Sequence, residues 1–181
     1  MHSCKMQERV QALRALVREL VGRADMTGLE LMGLVRMAAN LYESAANEQL
    51  RDADLSGPRF GLLLGLLAEE KLEGGEGLSP THLSHFQNVS KNTISALLRG
   101  LEEQGLIERT LDPDDKRIFH IHLSAAGREV VRARAPQHLA HLNDLASSLT
   151  PAEQAQLLEL LGKLAGALAS RQHHERVIRN A

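Results

Sequence analysis

The sequence predicts a mainly α-helical chain that carries one small β-hairpin. Three observations lead there. Of 181 residues, 33 are Leu and 22 are Ala, both good helix formers, and only four are aromatic. Apolar side chains recur at helical spacing along most of the chain. In one place the period changes. Leu106 to Leu111 and Arg117 to Leu123 are the most strand-like runs, and in the second Phe119, Ile121 and Leu123 alternate with Ile118, His120 and His122. Between them Asp112 to Lys116 forms a charged turn.

The elements follow in order. A first helix is expected from about Lys5 to Val21, with Val10, Leu13, Leu16, Val17 and Leu20 on one face. After a break at Gly22 to Met26, Thr27 and Glu30 read as a capping box, opening a helix to about Arg51. Leu31, Leu34, Val35, Ala38, Leu41, Tyr42 and Ala45 form its stripe. Ser56-Gly57-Pro58 punctuates the chain, and Phe60 to Leu72, apolar nearly all round, reads as a buried helix. A glycine-rich loop follows at 73–77. Ser79 then caps a short helix from Pro80 to about Phe86, with proline at its first position. After a turn, Ser90 caps a helix that ends at Gly105. Beyond the hairpin, Ser124 caps a long helix to about Leu149 with Pro136 inside it as a kink. Thr150-Pro151-Ala152-Glu153 is a second capping box, opening a last helix to about Arg171. A polar tail over 172–181 is expected to fray.

Composition narrows the function. The single Cys4 excludes an internal disulfide framework and there is no CxxC pattern, which suits a reducing compartment. No apolar run reaches the ~20 residues of a membrane span, and the N-terminus lacks a secretory pattern, so a cytoplasmic location is expected. No nucleophile–base arrangement, GxGxxG, P-loop or HExxH occurs, so the chain is read as a non-enzyme needing no cofactor. The net charge of −2 does not advertise a nucleic-acid partner.

Two short helices followed at once by a hairpin make a winged helix–turn–helix. Its second helix, 90–104, has the two faces that reading DNA requires. Ile94, Leu97, Leu98 and Leu101 can sit on the domain, while Lys91, Asn92, Ser95, Ala96 and Arg99 form a small polar face that can enter a major groove. Asn92 can pair with adenine, and Lys91 with guanine acceptors or phosphate. Arg99 would lie nearer the backbone. Ser79, Thr81, Ser90 and Thr93 stand at the starts of the two short helices, whose free amides over 80–82 and 91–93 can accept phosphate oxygens. At the hairpin tip Lys116 and Arg117 can reach a narrow minor groove. A polar helix face can equally be only a solvated one.

These segments resemble the MarR family of bacterial transcription regulators. The resemblance rests on Leu78 to Leu83, Val89 to Ile94 and Leu101 to Arg109. It also rests on the wing Asp112-Pro113-Asp114-Asp115-Lys116-Arg117, on Leu123 to Arg128 and on Leu149 to Glu153. It is strongest over about 55–170. It implies a winged helix–turn–helix plus a helical dimerisation region, in a symmetric homodimer on a double-stranded, pseudo-palindromic operator near its own gene. By position it implies that Asp115 braces Arg117 and that Arg117 is the minor-groove arginine. The expected organisation is an extra helix and a dimerisation helix over 1–52 and the DNA-binding domain over 53–123. The C-terminal dimerisation helices cover 124–172 and the tail 173–181.

The chain departs from the family in three ways. The extra N-terminal helix is unusual, and a urate-responsive branch that shares it uses a Trp absent here. Between Lys91 and Arg134 eight Lys or Arg stand against seven Asp or Glu, so a positive face requires segregation in space. No residue pattern names an effector. The resemblance implies a repressor released by a small aromatic or phenolic effector bound between the dimerisation helices and the winged helix. Met32, Met37, Leu41, Tyr42, Phe60 and Leu64 are candidate lining residues, and their spacing fits plain core as well. Cys4 reads either as an incidental thiol or as a redox switch. The pairs His82/His85, His120/His122, His138/His141 and His173/His174 supply two ligands each, fewer than a regulatory zinc needs, so no metal is expected. A metal- or redox-responsive repressor and a winged-helix module for protein–protein assembly are the alternatives.

Overall fold

The computed structural model describes residues 11–12, 15–17, 19–20, 25–72, 77–87, 89–112 and 115–180, with the backbone alone over 172–180. Of the expected first helix, the described positions 11–12, 15–17 and 19–20 are helical, and the remainder lies outside the described residues. The chain forms two compact units, Met1–Gly57 and Pro58–Ala181.

In the first unit α1 spans Thr27–Leu50 and passes into a 3₁₀ turn at Arg51–Ala53. The expected Thr27–Glu30 capping box is not formed. Met26 occupies the N-cap, and the Asp25 carboxylate takes both the Thr27 N–H at 2.9 Å and its hydroxyl at 2.7 Å. A carboxylate upstream outcompetes the hydroxyl because it is the stronger acceptor and favours the helix N-terminus. Asn47 accepts the Gly57 N–H at 2.8 Å.

The second unit begins one residue into α2, Gly57–Leu72, which starts three residues earlier than its apolar run. Phe60, Leu62, Leu63 and Leu66 are fully buried, each stabilising the fold by roughly 1.5–3 kcal/mol relative to exposure. Around them are α3, Pro80–Phe86, and α4, Lys91–Glu103, and then β1, Ile107–Leu111, and β2, Phe119–Leu123. The two strands pair antiparallel in the register Ile107↔Leu123 to Leu111↔Phe119. Leu78 adds a short third edge, exchanging two hydrogen bonds with Ile121 at 3.0 and 2.9 Å.

Local chemistry sets the element ends. Ser79, Ser90 and Ser124 each accept an N–H three residues on, at 3.2, 3.1 and 2.9 Å, as their N-cap positions require. Gly105, at φ 68°, ends α4, and the Leu106 N–H returns to the Leu101 carbonyl at 2.9 Å. Ser124 also donates its hydroxyl to the Gly105 carbonyl at 2.6 Å, locking the end of α4 to the start of α5, Ala125–Ala146. Gly127 admits the Leu106 carbonyl into the space that a Cβ would fill. One turn on, Arg128 forks onto Glu70 at 3.0 and 2.6 Å, and this partner holds the guanidinium's proton more tightly than usual.

α5 continues through Pro136. The Thr150–Glu153 box forms as expected, with the Thr150 N–H on the Glu153 carboxylate at 2.8 Å and the return bond at 3.4 Å. α6 spans Pro151–Asn180, so its backbone stays helical past Arg171, where an end was expected, and through all but the last residue of the tail. Leu157, Leu158, Leu160, Leu161 and Leu168 lie exposed along it.

Candidate nucleic-acid interface

The site is built on α3, the turn after it, α4 and the hairpin. Ser84 closes the turn from both sides. Its carbonyl accepts the Val89 N–H at 3.1 Å, and its hydroxyl donates to the Val89 carbonyl at 2.7 Å. α3 and α4 are thereby held at a fixed separation by local bonds. Gly65 leaves room for the Phe86 ring, which would meet a Cβ at 2.8 Å, and the Gln87 amide lies over Gly61 at 3.0 Å from where a Cβ would be. These close approaches set the helix pair on α2.

α4 divides into two faces, as its spacing predicts. Ile94, Leu98 and Leu101 are buried and Leu97 half-buried. Lys91, Asn92, Thr93, Ser95, Ala96 and Arg99 are all exposed. The Ser95 hydroxyl donates to the Lys91 carbonyl at 2.8 Å, and the hydroxyls of Ser90 and Thr93 lie 2.8 Å apart. Two of the first-turn amides expected to be free are capped internally, those of His82 and Thr93, and Pro80 carries none. Thr81, Lys91 and Asn92 carry the remaining first-turn N–H groups. Thr81 is exposed and Ser79 half-buried. On the other side of α4 the Arg59 guanidinium lies against Gly100, where a Cβ would collide with it.

Arg117 lies in the tip turn, as expected of a tip residue, and the strand-like run expected from Arg117 is a strand only from Phe119. The Asp115 carboxylate accepts three hydrogen bonds from Arg117, from its backbone N–H at 3.0 Å and from Nε and Nη2 at 2.9 Å each. The guanidinium first, and then the backbone N–H, hold the Asp115 carboxyl below its ordinary range, and Asp115 in turn keeps Arg117 more firmly cationic. Bending back onto Asp115 takes Arg117 out of the extended run. Lys116 beside it is exposed.

Asp112 was not singled out from the sequence. One of its oxygens accepts the Asp115 N–H at 2.9 Å and the other meets His120 Nε2 at 2.8 Å. His122 bonds Thr110 at 2.9 Å and packs over Gly77, whose φ of 79° suits glycine. The alternation that marks β2 as a strand was the available signal, because it puts His120 and His122 on one face.

The remaining candidates are distributed as follows. Met32, Leu41 and Tyr42 are exposed and Met37 half-buried in the first unit. In the second unit Leu64 is half-buried, and Phe60 is fully buried with its ring edge-on to His138 at 5.1 Å. Burial, reinforced by His141, lowers the pKa of His138 from its ordinary 6.5. His82 and His85 are exposed on α3. Among the described residues no three His, Cys, Asp or Glu side chains converge as metal ligands, and no helix is long and apolar enough to cross a membrane. Cys4 and the side chains of His173 and His174 lie outside the described residues.

Comparison with known proteins agrees with this geometry. The MarR family model matches residues 53–118. The HTH-type transcriptional repressor YetL of Bacillus subtilis is 32% identical over 110 residues, which span 61% of this chain and 64% of YetL. The uncharacterized HTH-type transcriptional regulator YkoM of the same organism is 32% identical over 134 residues, covering 73% of this chain and 84% of YkoM. Among solved structures, Sco3205, a MarR family transcriptional regulator from Streptomyces coelicolor in complex with DNA, superposes with a TM-score of 0.71 at 28% identity, over 80% of this chain and 89% of Sco3205.

Proposed function

Because the chain belongs to the MarR family of winged helix–turn–helix transcriptional regulators, we propose that it is a homodimeric, sequence-specific repressor. It binds a pseudo-palindromic duplex with α4 in the major groove and the 112–117 wing in the adjacent minor groove. The observation that carries this reading is the wing tip. Arg117, its side chain 90% exposed, is forked by Asp115 within the same unit that presents the bare polar face of α4. An arginine on a narrow hairpin suits a minor groove, whose negative potential deepens as it narrows. Small side chains at Ser95 and Ala96 permit close approach to base edges, and Asn92 and Lys91 are the base-reading and phosphate-seeking candidates. Ser79, Thr81, Ser90 and Thr93 frame the backbone contacts, and Arg99 lies two turns along. The exposed leucines of α6 supply an apolar face that a second copy would cover. A solved relative in complex with DNA supports the reading.

Release of the operator by a small aromatic or phenolic effector is the regulatory part of the proposal. Hydroxyl-radical footprinting on the DNA upstream of the chain's own coding region tests the binding mode. Two protected half-sites about one helical turn apart, with minor-groove protection outside each, are expected. Uniform protection, or none, would contradict it. The net charge of −2 favours a second reading, a protein–protein assembly module, which predicts no salt-dependent duplex binding.

A further inference from the structure

We propose that Asp112 and His120 are positioning residues for the wing arginine, and that the proton on His120 sets how firmly the tip is held for DNA. The inference rests on the DNA-binding reading of the wing.

The geometry is a relay of three bonded pairs. His120 sits on β2 opposite Thr110, with its Nε2 2.8 Å from one Asp112 oxygen. The other Asp112 oxygen accepts the Asp115 N–H at 2.9 Å. Asp115 forks Arg117. The hairpin strands end at Leu111 and Phe119, and the bonds that join the described tip residues beyond them include these side-chain bonds and two backbone bonds, Asp112 N–H to Ile118 O at 3.0 Å and Ile118 N–H to Asp115 O at 2.8 Å. His120 and Asp112 are each only 25% exposed, which distinguishes this pair from the open Asp115–Arg117 fork and shields it from salt. The carboxylate can only accept, so Nε2 carries the hydrogen, and Nδ1 is buried without a hydrogen-bond partner among the described residues.

Histidine is the side chain whose ordinary titration falls between about pH 5 and 8. Protonation of His120, at Nδ1, puts a full positive charge against the Asp112 carboxylate, so that a hydrogen bond from a neutral ring becomes an ion pair. It therefore tightens Asp112, and through Asp112 the Asp115 amide, while adding one positive charge to the wing. Both effects favour DNA as pH falls.

Other titratable and charged groups lie on the hairpin and on the elements packed against it. Among the described residues the hairpin carries Glu108, Arg109 and His122 on its strands and Asp115, Lys116 and Arg117 at its tip. The elements packed on it carry, among others, His82 and His85 of α3, Glu102 and Glu103 of α4, and Arg128 and Glu129 of α5. Glu102 is engaged by Arg109 and Arg128 by Glu70. His82 and His85 are common to both proteins, so the informative quantity is the difference between wild type and the His120 variant.

The test uses the full chain and two readouts. The first is the Arg117 Nε–H resonance of the free protein, followed by NMR from about pH 5.5 to 8. It is expected to track the His120 ring signals in wild type and in His122→Gln, and to lose that dependence in His120→Gln and Asp112→Asn. The second is affinity for the upstream duplex over the same range at constant ionic strength. Wild type is expected to gain roughly threefold or more on His120→Gln across the acid limb, within the tenfold per pH unit that one linked proton allows. An Arg117 resonance indifferent to His120 overturns the tether. A resonance that follows His120 beside identical affinity profiles overturns its role in DNA binding. Failure of wild type to bind any duplex contradicts the DNA-binding reading, and the free-protein resonances then decide the tether alone.

Discussion

Arg117 and Asp115, two residues apart, are joined by a two-point fork with both bonds at 2.9 Å, although the arginine side chain is almost wholly in water. So exposed a pair adds little to folding stability. Its effect is on geometry. The fork removes rotamer freedom from a long cation before any partner arrives, and so lowers the ordering cost of binding. Arg117→Ala and Asp115→Asn are therefore expected to leave thermal unfolding unchanged. Both should weaken duplex binding, Arg117→Ala by about 1–3 kcal/mol and Asp115→Asn by less. Unfolding curves and titrations on the same samples check this. A drop in melting temperature matching the lost affinity would point to a structural role instead.

Asn92 and Lys91 stand side by side in the first turn of α4 and are expected to behave differently. Asn92→Ala should cost about 1–3 kcal/mol on the operator and relax preference at particular base pairs. Lys91→Ala should weaken all sequences alike and reduce the salt slope by about one unit. Titration against a panel of single-base operator variants separates the two. Equal loss on every sequence for Asn92→Ala would remove it from base reading.

Gly127 faces the Leu106 carbonyl across the junction between α4 and α5. A methyl group there meets backbone, which cannot rotate away. Gly127→Ala is expected to destabilise the second unit by about 1–3 kcal/mol, read by urea unfolding. Gly105, also in this junction, has open space around its Cβ position but a φ of 68°, so Gly105→Ala costs through backbone conformation instead.

His138 is buried against Phe60, and its pKa is lowered from 6.5 chiefly by that burial. The unfolded chain therefore takes up a proton that the folded chain resists. Stability from this site is complete above the unfolded value, and is lost as pH falls below about 6.5 toward the depressed folded value. Urea unfolding at a series of pH values should show this loss in wild type and a flatter profile in His138→Leu. Identical profiles would show that His138 does not carry the acid sensitivity.

Much of the architecture was legible because it is written locally. Ser79, Ser90, Ser124 and the Thr150–Glu153 box announce helix starts within three residues, and Gly105 announces an end. The two faces of α4 follow from period alone. Thr27 misled because Asp25, two residues upstream, is the better acceptor. The strand-like run from Arg117 began two residues early, because the fork with Asp115 holds Arg117 in the turn and β2 starts at Phe119. The pairs missed are those that only the folded chain brings together. Arg128 and Glu70 are 58 residues apart, and Phe60 meets His138 across the unit. Asp112 and His120 are close in sequence, yet nothing in their spacing shows that the carboxylate also holds the Asp115 amide.

The central claim is that α4 and the wing together read DNA. Its most direct measurement is fluorescence anisotropy of the upstream duplex with wild type and Arg117→Ala, over a series of salt concentrations and with excess unrelated duplex. Wild-type binding is expected to survive the competitor and fall steeply with salt, with weaker binding by the variant. Wild-type binding abolished by competitor, or indistinguishable from that of Arg117→Ala, would contradict it.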